Sequence, residues 1–489
     1  MELCDLTIHE AHKGLVQKEF SSRELTLSCL QRIDEVEDRL NAFITVTAEL
    51  ALEQANAADK KLGRSEKSSP LTGIPMAFKD LFCTKGIETT AASNILLGFI
   101  PPYDATVVRK LKEAGVVILG KANHDAFAHG SSGENSDFGP TRSPWDLNCV
   151  PGGSSSGSAA AVAAGECLFA TGTDTGSSIR LPAAFCNLVG LKPTYGRVSR
   201  YGVIAMASSL DTVGCLTKDV TDHALVMNVM AGHDPLDATT PDIPVPDYTR
   251  ALASSSVKNL KIGVPKEYFS AGVQPPVKEL VEKAIRRLED LGATVVQVSL
   301  PHTELGLATY CVTCHPEVSS NLARYDGIRF GYSCEEGETV HDVYFKSRGR
   351  GFGMEAKRRV ALGTFVLSSG YYENYYEKAQ RVRTLIRRDF EKAFKRVDVL
   401  AAPSSPTMPF KIGEKRDPLE MYLSDTLLCP ANLAGIPSLN VPCGFSGNLP
   451  VGMQIIGPQF SEELLFRVGY AFEQVTEYYK KKPVIINQK

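Results

Sequence analysis

Apolar and polar positions follow two rhythms along this chain, and the rhythms take turns. Near the start, Ser21 and Glu24 have the Ser-x-x-Glu spacing of a capping box, and Leu25, Cys29, Leu30 and Ile33 follow at helical intervals. That combination predicts an amphipathic helix. A second helical stretch, AELALEQANAADKKL, gives way to the short apolar run GIPMAF, then to the helical ATVVRKLKEAG and the apolar run GVVILG. Further on, the strand-like LKIGVP, the helix VKELVEKAIRRLEDLG, the strand ATVVQVSL and the run VDVLAAP repeat the alternation. Helices interleaved with short apolar strands predict an α/β fold.

Two stretches interrupt the pattern. Between about 130 and 200 the chain turns to Gly, Ser and Ala, in GGSSSGSAAAVAAG and ATGTDTGSSIRLPAAF. Such composition suits a flexible linker, but the runs AAAVAA, CLFA and LPAAF supply apolar partners that a linker lacks. They are predicted as one buried helix and strands around tight turns. From about 303 to 390 helix signals and aromatics dominate. With no internal repeat and no clear linker, residues 1–489 are expected to form a single large domain. Its parts are an N-terminal helical segment over about 1–65, a core over about 66–215 and a helical insertion over about 303–390.

Composition narrows the function classes. The 489 residues are 43% hydrophobic and 22% charged, which excludes disorder as the main state. The 53 Lys and Arg against 56 Asp and Glu leave a formal charge of -3, so no bulk attraction draws the chain to nucleic acid or anionic membrane. No run approaches the ~18 apolar residues of a membrane span, and MELCDLTIHE does not read as a signal peptide. A cytoplasmic protein with reduced, structural thiols at its 12 cysteines is expected.

Several short motifs match and fail on chemistry. Gly115 to Lys121 spells a P-loop, but Ala122 stands where a magnesium-binding hydroxyl is needed, and strand residues fill the loop. Cys311, Cys314 and His315 match haem attachment, a chemistry that requires export; a zinc site there would have to recruit Cys334 or His341 at irregular spacing. Helical core cysteines are the better reading. Gly153 to Gly157 satisfies the nucleophile-elbow pattern, yet the preceding DLNCVPG is a loop rather than a strand.

What remains is a lysine ending an apolar strand, Lys79 in GIPMAFKD, with two turns, Gly152-Gly153-Ser154-Ser155 and Asp174-Thr175-Gly176-Ser177-Ser178-Ile179-Arg180. With these residues the chain resembles the amidase signature family over almost its whole length. Within it, the stretches GIETTAASNILLGFIPPYDATVV, GLKPTYGRVSRYGVIAMASSLD, GMEAKRRVALGTFVLSSGYY and DTLLCPANLAGIPSLNVPCG are similar to the A-subunit branch of the tRNA-dependent amidotransferases. The resemblance implies a mixed sheet covered by helices on both faces. It places a base on Lys79, a bridging serine on Ser154, which in the family has a cis backbone, and the nucleophile on Ser178. The roles make physical sense: a serine needs an adjacent base, and a lysine serves as one only when burial keeps it neutral. Backbone N–H groups of Thr175, Gly176, Ser177 and Ser178 are expected to form the oxyanion hole. Asp174 and Arg180 are expected to brace the loop. Taken singly, each residue has a plainer role: Lys79 a solvated charge, Ser154 to Ser158 a helix cap.

The resemblance further implies glutamine as substrate, with Arg358 holding its carboxylate, Asp425 its ammonium and Tyr310 forming a wall. No cofactor or metal is expected in this chain. Ammonia would pass to a B subunit that uses ATP and magnesium on mischarged tRNA, a small C subunit would bridge the two, and tRNA would be met only through the partner. Departures from the family pattern bear on specificity: Ser177 and Asn187 replace glycines, as does Ser156, His124, Ala126 and His129 replace the more common Met, Glu and Met, and His315-Pro316 replaces small residues. They leave a free-standing amidase for neutral aryl or aliphatic amides, esters or carbamates as the alternative. A non-catalytic scaffold protein that has kept the fold is the rival from another class, and the intact Lys79, Ser154 and Ser178 argue against it.

Overall fold

The computed structural model describes residues 2–64, 68–254, 256–270, 272–483 and 485. Within them lie eleven strands: β1 (Phe43–Val46), β2 (Pro75–Lys79), β3 (Val117–Ala122), β4 (Phe169–Asp174), β5 (Val189–Lys192), β6 (Thr212–Thr217), β7 (Lys261–Pro265), β8 (Thr294–Val298), β9 (Val399–Pro403), β10 (Ser438–Ser446) and β11 (Leu449–Ile456). They form one mixed sheet in the order β1-β3-β2-β4-β6-β5-β10-β11-β9-β7-β8. The segment boundary expected near residues 65 and 66 lies outside the described residues.

The continuous apolar runs read in the sequence become strands buried along their whole length, β2, β3, β4 and β9 among them. Helices on both faces make such runs necessary, because neither face meets water. β2 runs parallel to both β3 and β4, with Met76 opposite Phe169 and Ala77 opposite Ala170. The C-terminal ends of β2 and β4 therefore lie side by side, and Lys79 and Asp174 are their last residues.

Helix Ser156–Ala164 lies against this part of the sheet. Its approach depends on Gly157, where a Cβ would sit 2.2 Å from the Ala42 carbonyl oxygen and 2.6 Å from that of Asn123. The Ser158 hydroxyl fastens the helix by donating to the Thr171 carbonyl at 2.8 Å. Ser155 stands at the N-cap of the helix but makes no side-chain capping bond to it, so capping does not account for the serine run. Ser21 and Glu24 do form the reciprocal capping box at the head of helix Ser22–Leu40.

One element differs from expectation. LPAAF is helical, within Arg180–Phe185, rather than a strand. Five apolar residues fit a buried helix as well as a strand, and Pro182 in the first turn needs no N–H partner. Ala183 packs on Gly190 of β5, and Ala184 on Gly452 of β11, which anchors the segment.

Between 303 and 390 the chain forms helices Gly306–Leu322, Val340–Gly351, Met354–Leu367 and Lys378–Ala393. The first and third pack tightly, since a Cβ on Gly363 would lie 2.1 Å from the His315 carbonyl oxygen. Asn187 takes φ of 60°, a left-handed conformation that asparagine tolerates. Lys121 of the P-loop match is buried and paired with Asp80 at 3.0 Å.

Candidate active site

Lys79 ends β2 with its side chain fully buried. Its Nζ lies 2.8 Å from Ser154 Oγ, 3.0 Å from Ser155 Oγ and 3.0 Å from Thr173 Oγ1. Burial lowers its pKa to about 7 against the opposing pull of Asp125, Asp174 and Asp211. An ammonium stripped of water gives up its proton readily, and the neutral amine can then accept one. The Gly153–Ser154 peptide bond is cis. Asp125 lies beneath it, where a Cβ on Gly153 would meet Asp125 Oδ2 at 2.2 Å. That carboxylate accepts from the N–H groups of Gly133 and Asn135, and burial still raises its pKa to about 7.

The loop after β4 carries Ser178. Arg180 holds the loop in shape: its Nε and Nη2 each lie 3.0 Å from an Asp174 oxygen, and Nη2 also reaches the Gly176 carbonyl at 3.2 Å and Asn432 Oδ1 at 2.6 Å. Burial would raise the Asp174 pKa, but the Arg180 charge and the hydrogen bonds from Arg180 and Asn432 together hold the carboxyl below its ordinary value. Both residues are fully buried and paired with each other. The N–H groups of Thr175, Gly176, Ser177 and Ser178 meet no acceptor among the described residues. Four unpaired donors around a serine make a place where negative oxygen is stabilised. The Thr175 hydroxyl also donates to Asp211 at 2.7 Å. Ser178 is 5% exposed, and no hydrogen bond joins its hydroxyl to Ser154. The Lys79–Ser154 link is thus formed, and a Ser154–Ser178 hydrogen bond is not.

Tyr310 covers the loop. A Cβ on Gly176 would lie 2.8 Å from its ring, so glycine is required for the contact. Asp425 sits beside it, buried, with Oδ1 accepting from Ser177 Oγ at 2.6 Å and Ser131 Oγ at 2.8 Å. Arg358 pairs with Glu355, and its side chain is 37% exposed. Its neighbour Arg359 is the buried one. It bonds Glu355 Oε1 at 2.7 Å, stacks over Tyr422 at 5.5 Å, and its charge acts on both Asp425 and Tyr310.

Two substituted histidines are buried near these groups. His124 Nε2 and both ring nitrogens of His129 lack a hydrogen-bond partner among the described residues. Burial holds both well below the usual histidine range, reinforced by Lys79 for His124 and by Arg359 for His129. The His315 ring packs 5.9 Å from Tyr422. Cys311, Cys314 and His315 lie on helix Gly306–Leu322, and burial pushes both thiols up to about 12. None of the twelve cysteines is disulfide-bonded. Among the described residues, the group of three ligand-type side chains close enough to share an ion is His9, Asp219 and Asp222. There Asp222 already accepts the N–H groups of Ile8 and His9 at the start of helix Ile8–Gln17.

Asp125, Ser131, Thr173 and Arg359 were not singled out from the sequence. Arg359 had one available signal, its place in the basic run beside Arg358.

Comparison with known proteins sets this geometry in context. The family model described as Amidase matches residues 24–466. The A subunit of the Moorella thermoacetica glutamyl-tRNA(Gln) amidotransferase is 58% identical over 484 residues, 99% of each chain. Its counterpart from Geobacillus kaustophilus is 54% identical over 486 residues, 99% of this chain and 100% of that one. Among solved structures, the A subunit of the Thermotoga maritima glutamyl-tRNA(Gln) amidotransferase superposes with a TM-score of 0.83 at 42% identity, covering 99% of this chain and 98% of that one. A bacterial aryl acylamidase of the amidase signature family superposes with a TM-score of 0.86 at 27% identity, covering 99% of both.

Proposed function

The chain belongs to the amidase family, and from that premise we propose that it is the glutamine amidohydrolase component of a tRNA-dependent amidotransferase. Ser178 Oγ attacks the side-chain carboxamide carbon of glutamine, and its proton passes through Ser154 to neutral Lys79. The N–H groups of the 175–178 turn carry the charge that develops on the carboxamide oxygen. The C–N bond then breaks as the leaving nitrogen takes the proton back, releasing ammonia and leaving a glutamyl ester on Ser178. Water hydrolyses the ester to glutamate by the same proton path. Glutamine and water thus become glutamate and ammonia.

The observation that carries the choice of substrate is the buried pair of opposite charges, Asp425 and Arg359, set around Tyr310 and the nucleophile loop. A free amino acid presents an ammonium and a carboxylate, and such a pair matches both. In this reading Arg359 takes the carboxylate in place of Arg358. The names of the similar proteins, A subunits of glutamyl-tRNA(Gln) amidotransferases, support a place in a complex. Ammonia would be consumed on a B subunit that holds ATP, magnesium and the mischarged tRNA, with a C subunit bridging, in the cytoplasm.

The test compares glutamine with benzamide-type amides as substrates of the purified chain, alone and with B and C subunits. Glutamine hydrolysis that rises on assembly supports the reading. A chain that ignores glutamine in the complex and turns over neutral amides overturns it in favour of a free-standing amidase.

A further inference from the structure

Ser177 does more in this fold than lend an N–H to the turn. It is 1% exposed, and its hydroxyl donates to Asp425 Oδ1 at 2.6 Å, across a sequence separation of 248 residues. Ser131 donates to the same oxygen at 2.8 Å. The other oxygen, Oδ2, takes no hydrogen bond from a described residue. One oxygen of a buried carboxylate is therefore held twice while its twin is left for something else. Buried charges persist when such donors satisfy them.

We propose that the Ser177 side chain is a positioning residue for amine recognition: it pins Asp425 through Oδ1 so that Oδ2 receives the substrate's ammonium, and it joins the amine site to the nucleophile loop. This rests on glutamine being the substrate. The adjacent residue is Ser178, so the hydroxyl that fixes the amine site stands one position from the attacking atom. The other groups acting on Asp425 are the Arg359 and Lys415 cations, Asp174, Tyr310 and the thiols of Cys311 and Cys429. Burial raises the Asp425 pKa, and the Ser177 hydrogen bond is the largest influence opposing it. Without that hydroxyl the carboxylate becomes harder to keep ionised.

The test measures glutamine against glutaramate, which is glutamine without its α-amine, in the complete complex. In Ser177→Ala, which keeps the backbone N–H, the ratio of kcat/KM for glutamine over glutaramate should fall about tenfold, with the larger part of the loss in KM for glutamine. The acid limb of the glutamine profile should move to higher pH, and that of glutaramate should stay. Ser177→Gly, which also lacks the hydroxyl, should repeat the result and guards against a folding defect in the first variant. An unchanged ratio in both variants overturns the inference, as does an equal loss on both substrates, which would reduce Ser177 to loop support. A wild-type complex that hydrolyses no glutamine would instead overturn the substrate assignment beneath it.

Discussion

An amine surrounded by three hydroxyls and shut off from water titrates where burial puts it, and for Lys79 that is about pH 7. Because the base must be neutral, hydrolysis should rise with pH through that region; a rate that is flat from about pH 5 to 9 would exclude a lysine base. Lys79→Arg should be inactive, since a guanidinium stays protonated across that range. The charge pair offers a second test at this scale. Arg359→Ala and Asp425→Ala should each lower kcat/KM for glutamine by at least ~10²-fold and affect neutral amides far less, whereas Arg358→Ala should cost under tenfold. Equal effects of the two arginine variants would contradict the geometry. Lys79 and the serine turns were legible in the sequence because a strand-ending lysine and two Gly/Ser turns fall in the family's motifs. Which of Arg358 and Arg359 is buried was not, because successive helical residues point about 100° apart and a basic run does not say which one faces inward.

Elements place these side chains, and their junctions are tight. Gly157→Ala would push helix Ser156–Ala164 off the Ala42 and Asn123 backbone. A loss of about 1–3 kcal/mol is expected, read as a lower urea midpoint. Arg180→Met would leave Asp174 buried without its cation and should cost about 3–5 kcal/mol. Wild-type stability in either variant would remove these residues from the account. Long apolar runs and the capping box were readable because their periods are unambiguous. LPAAF was not, since a five-residue apolar run carries no period of its own, and its helix is set by contacts with β5 and β11.

The whole molecule gathers groups from residues 79 to 425 at one end of neighbouring strands, and helices from the 303–390 stretch close over them with Tyr310 and Arg359. No helix among the described residues is long and apolar enough to cross a membrane. With a formal charge of -3, the isolated chain should not retard tRNA at about 10 μM and physiological salt, while the assembled complex should. Retardation by the isolated chain would place a tRNA footprint here. The α/β alternation was legible across this scale, but the meeting of Ser131, Ser177 and Asp425 was not, because long-range contacts leave no local period. The most direct test of the mechanism is glutamine hydrolysis by the complex carrying Ser178→Ala, set beside Ser155→Ala, whose hydroxyl also lies 3.0 Å from Lys79 Nζ. Ser178→Ala should fold normally and lose roughly 10³-fold or more in kcat/KM, while Ser155→Ala keeps most of its activity. An active Ser178→Ala beside a dead Ser155→Ala would move the nucleophile to Ser155 and contradict the mechanism.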